Sequence, residues 1–137
     1  MALNLIRESL GSAQAKTGLT QYQTVVTSNK HGIVVDEPED SKGTNTGIEP
    51  MGLLTGSLAS CTAITLRMYI DRKMWVVDEI TVKVELFRIE GGTLFERTLQ
   101  FIGELSDEQK KRLIQIADAC PVHKILVGDI MVDTRIS

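Results

Sequence analysis

From Asp78 to Ile89 apolar and polar residues alternate. Ile80, Val82, Val84 and Leu86 share one parity, and Thr81, Lys83, Glu85 and Phe87 share the other. A period of two predicts a half-buried strand. Glu90-Gly91-Gly92-Thr93 marks a turn, and Leu94 to Gly103 reads as the returning strand. Upstream, Leu19 to Ser28 carries Tyr22, Thr24, Val25, Val26 and Thr27, which favour extended chain. Asn29-Lys30-His31-Gly32 is a turn signal, and Ile33-Val34-Val35 completes a hairpin. Residues 11–18 are small and polar and read as a loop. Asp36 to Glu49, rich in Asp, Glu, Gly, Thr and Asn, reads as a long loop of the kind that often carries function.

Two segments have helical periodicity instead. Pro50 to about Lys73 places Leu54, Leu58, Cys61, Thr65 and Met68 on one stripe at spacings of three and four. Little in this segment is clearly polar before Arg67, so the helix needs cover on nearly all sides. One small sheet can hardly surround it, which predicts a homodimer. The second helix opens at Ser106, where Ser106-Asp107-Glu108-Gln109 fits a capping box, and Leu113, Ile114, Ile116 and Ala117 form its apolar side. Cys120 closes that helix, Pro121 interrupts it, and residues 123–127 add a turn. Asp129 to Ile136 reads as a last strand. Strands, long helix, hairpin, helix and strand in that order predict an α+β domain spanning 1–137, not regular βαβ alternation.

Composition narrows the function without naming it. The chain has 137 residues, 42% hydrophobic and 24% charged, values suited to one domain with a real core. A net charge of −3 gives no general electrostatic reason to bind nucleic acid or an anionic membrane. The longest uncharged run, 50–66, is shorter than the ~20 residues that span a bilayer. The N-terminal residues carry charge early and lack a long apolar stretch, so no signal peptide is visible and a cytoplasmic location is expected. Thiols there stay reduced, and a cysteine pair is more often catalytic or metal-binding than structural.

The two cysteines differ. Cys61 sits mid-helix, and Arg67 and Arg72 fall outside the i+3 and i+4 positions that would set them beside it. Cys120 stands at a predicted helix C-terminus, whose partial negative charge disfavours a thiolate. Cys61 is therefore the better first nucleophile and Cys120 the better second thiol, able to condense with a sulfenic acid. Against this stands the bland reading of both as small core hydrophobes. Cys120 and His123 form a C-x-x-H pair, half of a possible metal site that Cys61 and His31 would complete. No second C-x-x-C or H-x-x-x-H repeats it, which argues against a metal.

Linked motifs then carry a resemblance. Asp36-Glu37-Pro38, Gly43-Thr44-Asn45-Thr46-Gly47, Pro50-Met51-Gly52-Leu53-Leu54, the run from Ser57 to Leu66 and Ala119-Cys120-Pro121-Val122-His123 resemble the OsmC-like family, which includes organic hydroperoxide resistance proteins. The resemblance runs from about Leu19 to the C-terminal end. It implies an α+β OsmC-like fold, with antiparallel sheets around a long central helix and a second helix, in an intertwined homodimer. It implies a stress-response thiol peroxidase with Cys61 as peroxidatic and Cys120 as resolving cysteine. Its substrate would be an organic hydroperoxide and its reductant an external dithiol, with no metal or organic cofactor. The chain departs from the pattern at the helix start, where Pro50-Met51-Gly52 lacks the carboxylate that holds an arginine against the thiol. Glu49 is the nearest substitute. The N-terminal strands hold no arginine after Arg7, leaving Lys30 or His31 as cations. This gap motivates an alternative, a non-enzymatic relative that binds a small apolar ligand at the dimer interface.

Overall fold

The computed structural model describes residues 5–137. Three strands come first: β1 (Gln14–Thr17), β2 (Thr24–Ser28) and β3 (His31–Val35). The helix α1 (Pro50–Lys73) follows, then the hairpin β4 (Val77–Ile89) and β5 (Gly92–Gly103). Two helices, α2 (Asp107–Ala117) and α3 (Pro121–Leu126), complete the order. Both sheets are antiparallel, one in the order β1-β2-β3 and the other β4-β5. This is the expected mixed α+β architecture. The chain divides into two compact units, residues 1–53 with 131–137, and residues 54–130.

In the first unit, β2 and β3 are joined by the two-residue turn Asn29-Lys30, both at positive φ (49° and 71°). That conformation matches the right-handed twist of a hairpin. β1 pairs with β2 within the stretch expected to be a loop. Its sequence, Gln-Ala-Lys-Thr, is exposed at every position, so no alternation marked it. Residues 19–23, expected to be strand, instead turn the chain, with Gln21 at φ 43°.

The loop after β3 is organised by one buried carboxylate. Asp36 is 1% exposed. Its Oδ1 accepts the Glu37 N–H (2.8 Å). Its Oδ2 accepts the hydroxyls of Thr44 (2.5 Å) and Thr46 (2.7 Å) and both their amides (3.3 and 3.1 Å). Gly43 and Gly47 flank these donors, and a Cβ at either would run into the backbone of Glu37 or Val34. The Gly-Thr-Asn-Thr-Gly motif is thus a set of donors threaded through a gap that only glycine fits.

In the second unit, α1 and α2 pack on one face of the β4–β5 hairpin. Leu66, Tyr69 and Ile70 of α1 meet Val77, Leu113 and Ala117, and the strands add Ile80, Val82, Leu99 and Phe101. Burying each large side chain of this kind contributes roughly 1.5–3 kcal/mol. The two-residue turn Glu90-Gly91, with Gly91 at φ 83°, sets the register, so Ile80 faces Phe101, Val82 faces Leu99 and Val84 faces Arg97. The capping box at Ser106 forms as predicted, with Ser106 Oγ accepting the Gln109 N–H and Gln109 Oε1 accepting the Ser106 N–H.

Two expectations change. The buried stripe of α1 is Leu58, Thr62, Leu66, Tyr69 and Ile70, whereas Met68 is 65% and Leu54 39% exposed. A helix apolar on most sides has no periodicity to say which side faces the core, so the stripe was placed one residue off. Residues 129–136 form no strand among the described residues. Ile130, Val132 and Ile136 favour extended chain, but a strand also needs a neighbour to share its backbone hydrogen bonds.

The threonine donors, opposed by burial, hold the Asp36 carboxyl far below the usual carboxylate range. A depressed folded-state pKa stabilises the fold above the unfolded value of about 3.9, and that stabilisation fades as pH falls through the folded value. Asp36→Asn is therefore expected to lower the midpoint of urea unfolding at pH 7, with the gap from wild type narrowing toward pH 3. A gap that is constant with pH would show that the carboxylate charge is not what holds the loop.

Candidate active site

Every residue of the site lies in the second unit. Thr62 and Cys61 are neighbours on α1, with Thr62 fully buried in the core stripe and Cys61 partly exposed beside it. Cys120 is fully buried, and both cysteines are free thiols. Their side chains are within hydrogen-bonding reach of each other. The structure thus brings together residues far apart in the chain, because α2 returns along α1 and its end delivers Cys120 to the middle of the helix.

The surroundings of Cys120 overturn the expectation drawn from its position. α2 ends at Ala117 with Asp118 as its C-cap. Cys120 instead occupies the N-cap position of α3, followed by Pro121. Backbone amides, not carbonyls, therefore turn toward its sulfur. The strongest influence on the Cys120 thiol is burial, which opposes ionisation. The Cys61 thiol, the His123 amide, the Thr62 hydroxyl and the Val122 amide together outweigh it and hold Cys120 below the ordinary thiol value. The amides act at a distance, short of a full side-chain cap. Cys61 is pushed the other way, first by burial and then by the hydrogen bond and charge of Cys120, with partial relief from the Val122 amide and the Thr65 hydroxyl. Two thiols in this relation release their protons as a pair: the first leaves more readily than from an isolated thiol and the second less readily.

A cation reaches Thr62, the chain neighbour of Cys61, from a strand that sequence reasoning passed over. Arg97 lies on β5, its side chain 14% exposed. Its Nη1 donates to Thr62 Oγ1 (3.1 Å) and its Nη2 to Asp118 Oδ1 (2.8 Å). The signal was present: Phe95, Arg97, Leu99 and Phe101 share the inner parity of β5, and a charged residue on an apolar face needs a partner. His123 Nε2 lies 3.7 Å from the same Asp118 oxygen.

The other candidates belong to the first unit. Glu49 is exposed in the first unit, immediately before α1, where its carbonyl accepts the Leu53 N–H. Lys30 lies in the β2–β3 turn of that unit, and His31 is the first residue of β3. Among the described residues no group of three or more His, Cys, Asp and Glu side chains is placed to hold a metal ion. A cleft of about 860 Å³ has Leu58, Leu94, Phe95, Phe101 and Ile114 among its walls and shares Arg97, Asp118 and His123 with the site, while neither cysteine lines it.

A sequence model described as OsmC-like protein matches residues 43–135, which span the Asp36 donors, α1 and both cysteines. The chain belongs to the OsmC-like family. Solved structures agree on the fold. An OsmC-like protein from Mycoplasma pneumoniae superposes with a TM-score of 0.75 at 20% identity, covering 89% of this chain and 90% of that one. The organic hydroperoxide resistance protein OhrB of Bacillus subtilis gives 0.60 at 23% identity, covering 88% and 93%. An OsmC-like protein of unknown function from Vibrio cholerae gives 0.70 at 11% identity, covering 89% and 96%. No curated protein matches the chain. At these identities the likeness establishes the OsmC-like fold, and the chemistry has to be argued from the site.

Proposed function

We propose that this OsmC-like protein is a cysteine-based peroxidase that reduces organic hydroperoxides, with Cys61 as the attacking thiol and Cys120 as the resolving one. The observation that carries this reading is a partly exposed thiol within hydrogen-bonding reach of a fully buried one, both reduced. Access decides the roles. The first proton leaves the pair as a whole, but only Cys61 is open to a peroxide. The Cys61 thiolate attacks the O–O bond, forming a sulfenic acid and releasing an alkoxide that takes up a proton to become the alcohol. The Cys120 thiol then displaces water from the sulfenic acid, giving a Cys61–Cys120 disulfide. An external dithiol, available in a reducing compartment such as the cytoplasm, reduces that disulfide and is itself oxidised. The apolar cleft suits an organic substrate better than hydrogen peroxide.

The cleft also favours the second reading, a non-enzymatic carrier of a small apolar ligand. The two separate on chemistry. Steady-state assays with cumene hydroperoxide and a range of dithiols are expected to show turnover that Cys61→Ser abolishes. Equal inactivity of wild type and variant across those reductants would leave the carrier reading. OsmC-family members are typically dimers, and the exposed apolar face of α1, with Ile64 55% and Met68 65% exposed, fits a second copy as its cover. Light scattering at micromolar concentration is expected to give twice the chain mass; a monomer would refute the dimer.

A further inference from the structure

We propose that Cys61 is the sulfur struck in both halves of the cycle: the external dithiol attacks Cys61 of the disulfide and expels Cys120, so peroxide and reductant share one opening and Cys120 meets neither. The proposal deepens the peroxidase reading and rests on it for the Cys61–Cys120 disulfide.

The argument starts from access. A disulfide offers two sulfurs, and which one is attacked depends on what can reach it and on how well the other leaves. Cys120 is 0% exposed. It lies in the short link between α2 and α3, and both of its backbone groups are engaged. Its N–H donates to the Ala117 carbonyl (3.3 Å), and its carbonyl accepts the Lys124 N–H (3.2 Å). The first bond ties it to the last residue of α2, itself in the core at 2% exposure, and the second ties it to α3. Pro121 also restricts the backbone of Cys120 to the extended region it occupies (φ −57°, ψ 127°). Turning this sulfur out to meet a bulky thiol would undo the end of one helix and the start of the next. Cys61 asks for no such change. It is already partly exposed, in the middle of a 24-residue helix.

The direction of attack gives the same answer. Thiol–disulfide exchange places the attacking, central and leaving sulfurs nearly in line. A nucleophile that strikes Cys61 comes from the side facing away from the buried sulfur. One that strikes Cys120 would have to come through the interior that covers it. The leaving groups agree, since a thiol of lower pKa leaves faster. Burial is the largest influence on Cys120 and opposes its ionisation, but the Cys61 thiol and the His123 amide lead the groups that outweigh it, while burial pushes Cys61 up.

The steps balance. A thiolate of the dithiol bonds to the Cys61 sulfur as the Cys61–Cys120 bond breaks. The electron pair of that bond leaves on Cys120, which takes up a proton. The second thiol of the reductant, deprotonated, then attacks its own partner sulfur in the mixed disulfide. Cys61 leaves as a thiolate, and the reductant departs as a cyclic disulfide, two electrons poorer. Cys61 is thereby returned ionised at the opening where the next peroxide arrives.

The test needs no peroxide. Diamide closes the disulfide in the wild-type protein, and excess 2-mercaptoethanol attacks it. The mixture is then quenched in acid, unfolded, blocked with N-ethylmaleimide and mapped by mass spectrometry. The expected early product carries mercaptoethanol on Cys61 and maleimide on Cys120. The reverse placement overturns the proposal, and so does a chain in which diamide closes no disulfide. Microscopic reversibility supplies a second arm, because an external disulfide must enter by the same sulfur. With 5,5′-dithiobis(2-nitrobenzoate), folded Cys120→Ser is expected to react at the initial rate of wild type. Folded Cys61→Ser is expected to react roughly a hundredfold more slowly, since a fully buried thiol reacts only when the structure opens locally. Equal rates in the two folded variants overturn the proposal. A Cys61 adduct in a protein that fails to turn over cumene hydroperoxide sinks the peroxidase reading and leaves this assignment standing.

Discussion

A guanidinium on the apolar face of a strand is tolerated only if the groups it meets are fixed in place, and Arg97 is such a group. It sits between Phe95 and Leu99 on the inner side of β5, opposite Val84. Its two partners come from different elements, Thr62 from the buried stripe of α1 and Asp118 from the C-cap of α2. Asp118 is 62% exposed, so the ion pair itself is worth little, and the constraint comes from the largely buried guanidinium and its bond to Thr62. The strand, the long helix and the end of the second helix therefore hold one mutual geometry. That geometry also sets Cys61 beside Cys120.

Much of the fold was legible because local signals agreed with one another. The β4–β5 hairpin, the capping box at Ser106 and the extent of α1 each followed from periodicity or end chemistry. Where reading failed, the deciding term was not local. β1 is a fully exposed edge strand that exists by pairing with β2. Residues 129–136 carry strand-favouring residues such as Ile130 and Val132 but have no ladder among the described residues. The core side of α1 was hidden because apolar residues surround the helix, and with it the role of Thr62, a polar residue whose hydroxyl is spoken for on both sides.

The site was half legible for a related reason. Both cysteines stood out by type and motif, but their electrostatics depended on where α2 stops. A helix ending at Cys120 would have opposed its ionisation. A helix ending at Ala117, followed by a new one beginning at Pro121, reverses the sign of the nearby backbone dipoles. A three-residue difference in a helix boundary, the least certain feature of any sequence reading, thus changed the chemistry expected of a thiol. Arg97 was visible as a parity violation on an apolar strand, and its meaning came only with the partners the fold supplied.

The proposed chemistry requires that Cys61 and Cys120 form a redox couple within a single chain. Peptide mapping by mass spectrometry after one molar equivalent of cumene hydroperoxide, with no reductant present, tests it most directly. A Cys61–Cys120 disulfide as the main product is the predicted result. Two free thiols, or Cys61 carried on to the sulfinic acid beside a free Cys120, would contradict it.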